Sequence, residues 1–446
     1  MKIVDKGNTM PSDYNPKAKT ATFTIFLILA TILTMSCKEC PTEPDGYSID
    51  ISADFVGASR VRLLVSVSDS GNVREFGIKR DGAVIVKCQL SGKDTLITDN
   101  SVEPATAYQY EGIVYNNDEI SDHSEPIEVT TLDTTSHEIE WTISRFGYIG
   151  SYLRDVCIIS EDDIWAVGFI ETEETMHNDT LDPYNAAHWN GTEWELRRIN
   201  PITITGQNYS SSISDIYATS TNNIWAVYGI PMYYDGNSWI QYHLFNMGYE
   251  MSGILLQCWG PSSNNMYFAG TNGCFVHYSN TSWTIIETNT SRTINDIHGL
   301  SSDLVYMVGS DQDTWSSNFI IYEDGKIRNM DFPDTCVQAV YATAWNDVYL
   351  VGQGLLYYDG RKINDWQWSD DLPMNLFQSV SGNGPNDIFL AGHFGTIIHY
   401  NGKTWKYYNT LNNTNVLLGA VAVKDDVIIA VGDYGQQANI YHGVRN

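Results

Sequence analysis

Hydrophobic and polar positions fall into a repeating pattern over most of this chain. A short apolar strand behind an Asn/Asp turn recurs seven times, as DDIWAVG, NNIWAVYG, NNMYFAG, DLVYMVG, NDVYLVG, NDIFLAG and DDVIIAVG. The closing glycines are Gly168, Gly229, Gly270, Gly309, Gly352, Gly392 and Gly432; after a first interval of 61 residues the spacings are 41, 39, 43, 40 and 40. A second apolar strand and hairpin follow each glycine: AHWNGTEW, YYDGNSW, VHYSNTSW, IYEDGKI, YYDGRKI, IHYNGKTW and IYHG. Each unit reads as strand a, an Asn/Asp turn, strand b, strand c, a tight hairpin and strand d. Four strands in about 40 residues is the period of a β-propeller blade.

The seventh unit stops at His442-Gly443-Val444-Arg445-Asn446, without a strand d. An orphan strand, Glu138–Ile143, precedes the first unit, and its Trp141 matches the strand-d tryptophans Trp194, Trp239, Trp283 and Trp405. The pattern therefore predicts a seven-bladed propeller over 138–446, closed by that strand pairing near Tyr441. Closure protects the edges that an open sheet leaves exposed. Ahead of the ring, residues 47–132 alternate between apolar and polar positions and are broken by turn signals, the spacing of a small β-sandwich. Residues 133–137 form a linker. The expected fold class is all-β: a sandwich followed by a propeller.

Two stretches of the sandwich, Val102-Glu-Pro104-Ala-Thr106-Ala-Tyr108 and the ending SEPIEVTTLD, resemble a fibronectin type III module, although the usual strand-B tryptophan is missing. That resemblance implies a spacer or adhesive arm. The c–d stretch of the repeats, as in Gly395-Thr-Ile-Ile-His-Tyr-Asn-Gly-Lys-Thr-Trp405, resembles Asp-box repeats of sialidase-like and sortilin-like propellers and those of photosystem II stability factors. Aromatic-Asn/Asp-Gly replaces the strict Ser/Thr-x-Asp pattern, so the resemblance implies architecture and carries no enzyme activity with it.

The N-terminus indicates a compartment. Ala21–Met35 is an uncharged, mostly apolar run behind Lys17 and Lys19, too short to span a bilayer but suited to a signal-peptide core. Leu33-Thr34-Met35-Ser36-Cys37 resembles a bacterial lipobox, which implies a leader over 1–36, lipidation of Cys37, a linker over 37–46 and a place in the cell envelope. The seven cysteines, Cys37, Cys40, Cys88, Cys157, Cys258, Cys274 and Cys336, show no paired framework and no zinc spacing.

Composition removes some functions. A net charge of −29 disfavours nucleic acid as a partner, and 12% aromatic residues exclude a disordered chain. No HExxH, GxSxG, P-loop or dinucleotide fingerprint occurs.

The candidate site follows from comparing the repeats with one another. The a–b and c–d turns keep nearly constant length, while the d–a and b–c connections vary: a long acidic b–c insertion runs over 169–186, a shorter one over 310–318, and long d–a loops over 197–212 and 241–253. Variable loops on a uniform scaffold are where binding is usually placed. The ligand-contact candidates on that face are Tyr148, Tyr152, Tyr184, Tyr209, Phe245, Trp315 and Trp366, with Tyr249 and Phe377 beside them. At the start of strand a, Asp155, Asp215, Gln257 and Asp296 occupy matching positions and form a candidate polar ring at the channel mouth. That ring could hold Ca²⁺ or a cationic ligand, or could bridge backbone groups between blades. His188, His277 and His399 share one strand-c position in different blades and read as structural. The sequence thus predicts an exported, lipid-anchored, monomeric binding or scaffold protein, recognising a glycan or a protein partner and needing no cofactor. The alternative is a carbohydrate-active enzyme, a glycoside hydrolase or glycosyl transferase, on the same face.

Overall fold

A computed structural model describes residues 48–68, 75–89, 92–116, 118–177, 182–200, 211–311, 316–332, 335–365, 372–373, 375–411, 413–435 and 437–446. The leader, Cys37 and the linker over 37–46 lie outside the described residues, as do Tyr209, Trp315 and Trp366. Strands dominate; the described helices are Glu173–Met176 and three short 3₁₀ turns. No described helix is long and apolar enough to cross a membrane.

Two antiparallel sheets form the N-terminal sandwich. Ile49–Val56, Val61–Val67 and Asp94–Asp99 make a three-stranded sheet, and a five-stranded sheet faces it. Alternation drives the packing: Val61, Leu63, Val65 and Val67 are buried against Phe76, Ile78, Tyr110 and Val114 of the other sheet. The Tyr108 hydroxyl accepts a 2.8 Å hydrogen bond from the Glu103 N–H, tying the loop before its strand to the sheet. The strands Ile49–Val56, Asp94–Asp99 and Glu119–His123 went unread in the sequence.

The rest of the chain builds seven sheets of four strands each. Their first strands are Tyr152–Ser160, Asp215–Ser220, Leu255–Ser262, Thr293–Ser301, Val337–Ala344, Phe377–Gly384 and Val416–Lys424. Each first strand contacts the next, and the last contacts the first, so the sheets run in a cycle and the architecture is a β-propeller. The orphan strand is where the pattern placed it: Ile139–Phe146 pairs with Gln437–Arg445, Tyr441 standing opposite Ile143. Buried apolar side chains fill the gaps between sheets. At the join, Val156, Ile164 and Ala187 of the first sheet meet Ile429, Val431 and Ile440 of the seventh. Second strands such as Asp347–Gly352 are buried at every residue, which explains why they read as continuous apolar runs.

At five of the seven positions the closing glycine has a steric cause. A Cβ on Gly168, Gly270, Gly352, Gly392 or Gly432 would lie between 1.9 and 2.3 Å from a carbonyl oxygen at or just before the start of its own sheet's strand a, at Tyr152, Ile254, Cys336, Leu376 and Leu417 respectively. Only glycine admits that approach. At the same level strand a carries a β-bulge in six of the seven sheets, between Leu153/Asp155, Leu255/Gln257, Ile294/Asp296, Val337/Ala339, Phe377/Ser379 and Leu418/Ala420.

The sandwich docks on the uniform turn face. Its turn between Phe55 and Arg62 enters the a–b turn of the fifth sheet and the c–d turn of the sixth. The Arg60 guanidinium pairs with Asp347 at 2.7 Å and lies 4.4 Å over the Tyr357 ring. Arg62 donates to Asp54 at 2.5 Å and to the Asn346 carbonyl at 2.8 Å, and Ser59 donates to the Gly402 carbonyl at 2.6 Å. The face with the variable loops is left uncovered by the sandwich.

Candidate functional site

The bulges build the site. Each bulge sets one residue outside the strand ladder and re-aims its side chain. Those residues are Arg154, Leu256, Asn295, Gln338, Gln378 and Gly419, and Ser214 takes the corresponding place in the second sheet. All seven line one cavity of about 700 Å³ at the mouth of the central channel, together with Ser151, Tyr152, Gln257 and Asp433. This mouth lies where strands a begin and strands b end, on the variable-loop face.

The lining is mostly neutral and hydrogen-bonding, and several side chains are fixed by partners. The Asn295 amide donates to Gln338 Oε1 at 3.3 Å, Gln338 donates to the Cys336 sulfur at 2.7 Å, and Gln378 Nε2 sits 3.1 Å from His393 Nε2. Arg154 is exposed, meets no carboxylate among the described residues and lies 4.9 Å over the Tyr152 ring. Tyr152 is held in turn by its hydroxyl, 3.0 Å from Ser212 Oγ.

One residue further along each strand a sits the ring that the sequence singled out. Asp155 Oδ2 accepts the Ile216 N–H of the next sheet at 2.9 Å, and Asp215 accepts the Cys258 N–H of the sheet after. Asp296 Oδ2 accepts the Val340 N–H at 2.8 Å, and Ser379 Oγ accepts the Val421 N–H at 3.0 Å. These bonds bridge neighbouring sheets around the channel, the structural alternative to Ca²⁺ binding. Among the described residues no group of three or more His, Cys, Asp or Glu is arranged to hold a metal. Burial pushes the Asp296 carboxyl up to about 7 and raises Asp155; Asp215 is raised well above the usual carboxylate range, by burial and by the neighbouring Asp155 charge. Gln257 alone of the four lines the cavity.

The aromatic candidates do not converge. Tyr152 lines the cavity, whereas Tyr184 belongs to a separate recess beside Glu173–Met176, with the Arg198 guanidinium 3.8 Å over its ring. Tyr148 is exposed beside Glu173, and Phe245 is 77% exposed on a 3₁₀ turn. Tyr249 packs against the core of the second and third sheets. Phe377 is a correction: it is the first residue of a strand a and fully buried in the core, not a surface contact. Sequence reasoning missed what surrounds these rings. Of fifteen exposed large hydrophobics among the described residues, eight lie on this face: Tyr148, Ile149, Met176, Phe245, Met247, Ile254, Phe394 and Leu417. The other seven are spread over the rest of the molecule.

The histidines are structural, as their shared position implied. His188 meets Asp163 at 2.9 Å, His277 meets Asn265 at 2.6 Å and His399 meets Asp387 at 2.8 Å, each within its own sheet. Their rings stack on Trp165, Tyr267 and Phe389 at 4.3, 4.2 and 4.2 Å. The Thr135 hydroxyl lies 3.3 Å from His399 Nε2, the same nitrogen that meets Asp387, so nucleophile, base and acid are not strung in sequence as a triad requires. Cys88, Cys157, Cys258, Cys274 and Cys336 are free thiols.

No family model matches the chain, and no curated protein sequence matches it. Solved structures do. A structure of YCF48 bound to D1 peptide is similar over 69% of this chain and 96% of its own length, with a TM-score of 0.52 at 14% identity. YCF48 from Cyanidioschyzon merolae is similar over 68% of this chain and 98% of its own, with a TM-score of 0.48 at 12% identity. The computationally designed Ika8 protein is similar over 67% and 98%, with a TM-score of 0.44 at 11% identity. At 14% identity the likeness to the first of these shows the class of fold alone, a β-propeller.

Proposed function

We propose that this chain is an exported, lipid-anchored binding protein of the bacterial cell envelope. In this reading a monomer uses a fibronectin type III-like sandwich to carry a seven-bladed propeller, whose d–a and b–c loop face captures a protein segment. The observation that carries it is the cavity of about 700 Å³, open on the face away from the docked sandwich, a face that also carries eight exposed apolar side chains with Leu417 of the cavity lining among them. The amide and hydroxyl lining suits a peptide backbone, and Arg154 supplies one cation for an acidic group. The YCF48 structure bound to D1 peptide adds support at the level of fold. Seven four-stranded sheets support the blade count, and the Tyr108 hydroxyl bonded to Glu103 supports the fibronectin-type assignment. The leader over 1–36 and lipidation at Cys37 rest on sequence alone.

A glycan is the other ligand class, and carbohydrate chemistry the other function. Glycoside hydrolysis needs a pair of carboxyl groups at the scissile bond, and the described cavity lining offers one, Asp433. The binding reading is tested by thermal-shift screening of peptide and glycan libraries, with sugar release measured in parallel. Stabilisation by peptides that disappears in Arg154→Glu with Gln378→Ala supports it. Stabilisation by glycans alone, or released sugar, overturns it.

A further inference from the structure

On the opposite side of the molecule a cleft opens between the sandwich and the fifth ring sheet. The cleft has a volume of about 600 Å³. One wall is Asp94–Asp99, which pairs with Val61–Val67 on one side and is the edge of its sheet among the described residues. The other wall is the c–d hairpin of the fifth sheet, with Arg361, Lys362 and Asn364.

The register determines what the edge offers. The Val67 N–H donates to the Lys93 carbonyl at 3.0 Å, so 67 and 93 are a hydrogen-bonded pair. In an antiparallel ladder such pairs recur every second residue, which turns Thr95, Ile97 and Asp99 toward Val61–Val67. Asp94, Leu96 and Thr98 therefore aim their backbone N–H and C=O groups outward, and all three residues line the cleft. The edge presents open ladder positions in a built groove, not on a free flank.

Charge decides what could fill it. Four cleft residues are cationic, Arg60, Arg62, Arg361 and Lys362, against two acidic ones, Asp94 and Asp359, in a chain whose net charge is −29. The first two are committed to Asp347 and Asp54. Arg361 and Lys362 are exposed and meet no carboxylate side chain among the described residues. The nearby Asp359 carboxylate accepts the Arg361 and Lys362 backbone N–H groups at 3.0 and 2.8 Å and the Asn364 amide at 3.1 Å, so it holds the hairpin rather than these side chains.

We propose that this cleft binds an extended acidic peptide segment by strand addition to Asp94–Asp99, with its carboxylates facing Arg361 and Lys362. Main-chain bonds to Leu96 and Thr98 supply the register, and the two cations select acid over base. The site is independent of the channel-mouth cavity, which the docked sandwich leaves open at the other end.

The test uses the full chain and a fluorescein-labelled eight-residue peptide of alternating Glu and Val, followed by anisotropy and by amide hydrogen exchange. Binding with slowed exchange at Leu96 and Thr98 is expected. Arg361→Glu with Lys362→Glu should weaken it about tenfold or more, since two exposed charge contacts turn repulsive. Thr98→Pro removes one outward donor while sparing the inner ladder, and should abolish binding. A peptide N-methylated at alternate residues gives the same readout without altering the protein, and should not bind. Absence of binding, N-methylated peptide binding as tightly, or capture of a sulfated glycan in place of the peptide would each overturn the proposal. Loss of channel-mouth binding in Arg154→Glu must leave this peptide's affinity unchanged; a matching loss would show the two sites to be one.

Discussion

The Arg62 guanidinium of the sandwich donates a 2.8 Å hydrogen bond to the Asn346 carbonyl in the fifth propeller sheet, and Arg62 is only 6% exposed. The Asn346 amide returns the contact, donating to the Asp54 carbonyl at 3.0 Å. Arg62 is thus a charge buried between two architectures, with Asp54 as its counter-ion, and it ties the sandwich to the ring. Arg62→Ala leaves the Asp54 carboxylate without its partner and should cost about 3 kcal/mol. Calorimetry should then show the sandwich melting ahead of the ring, where the unaltered chain melts in one transition. A single unshifted transition in the variant would mean the two parts were never coupled.

Gly402 marks the second point of docking. Its φ is +92°, and a Cβ there would lie 2.7 Å from the Ala58 Cβ of the sandwich. Gly402→Ala combines left-handed strain with a wedge between the two parts, at a cost of about 1–3 kcal/mol. Ala58→Gly in the same chain should restore only the part of that loss due to Ala58, since a Cβ on Gly402 also lies 2.7 Å from the Asn386 Cβ of its own sheet. Urea titrations of the three variants check this, and full restoration would exclude the strain.

The carboxyls around the channel make stability depend on pH in an unusual direction. Burial raises Asp155, Asp215 and Asp296, so the folded state holds protons that the unfolded chain releases at about pH 4. Their contribution is full below that pH and is lost as pH rises, through about 7 for Asp296. Asp296→Asn cannot ionise, so its urea midpoint should fall less between pH 4 and pH 8 than that of the unaltered chain. Parallel pH profiles would contradict the assignment.

Much of the ring was legible because its period is written in side chains. The Asn/Asp turns, the closing glycines and the misplaced Trp141 identified the repeat and the strand that completes the seventh sheet. The cavity was not legible. A bulge exists only relative to a pairing partner, so nothing in the string around Gln338 distinguishes it from a ladder residue. The nearest signal was the glycine one strand over, whose missing Cβ admits the bulged backbone. Phe377 was misread for a related reason: as the residue that opens a strand, it sits one step inside the loop boundary. Arg60 and Arg62 gave no sign of docking, since Asp347 lies 287 residues from Arg60 in the chain. Asp347 and Asp387, at the start of their second strands, receive Arg60 and His399. The strand Asp94–Asp99 escaped notice because its ends are acidic and its apolar stretch is short.

The central claim is that ligand enters at the channel mouth, between the six bulged residues and Ser214. Gly419 offers a direct probe, because a Cβ there meets nothing nearer than the Arg154 carbonyl at 3.5 Å. Gly419→Trp should therefore fill part of the cavity while shifting the melting temperature by no more than about 2–4 °C. Peptide and glycan arrays probed in parallel with the unaltered chain and with this variant decide the matter. The account predicts peptide signals that vanish in Gly419→Trp while the acidic peptide of the inter-domain cleft still binds. Channel-mouth ligands bound equally by both proteins would contradict it.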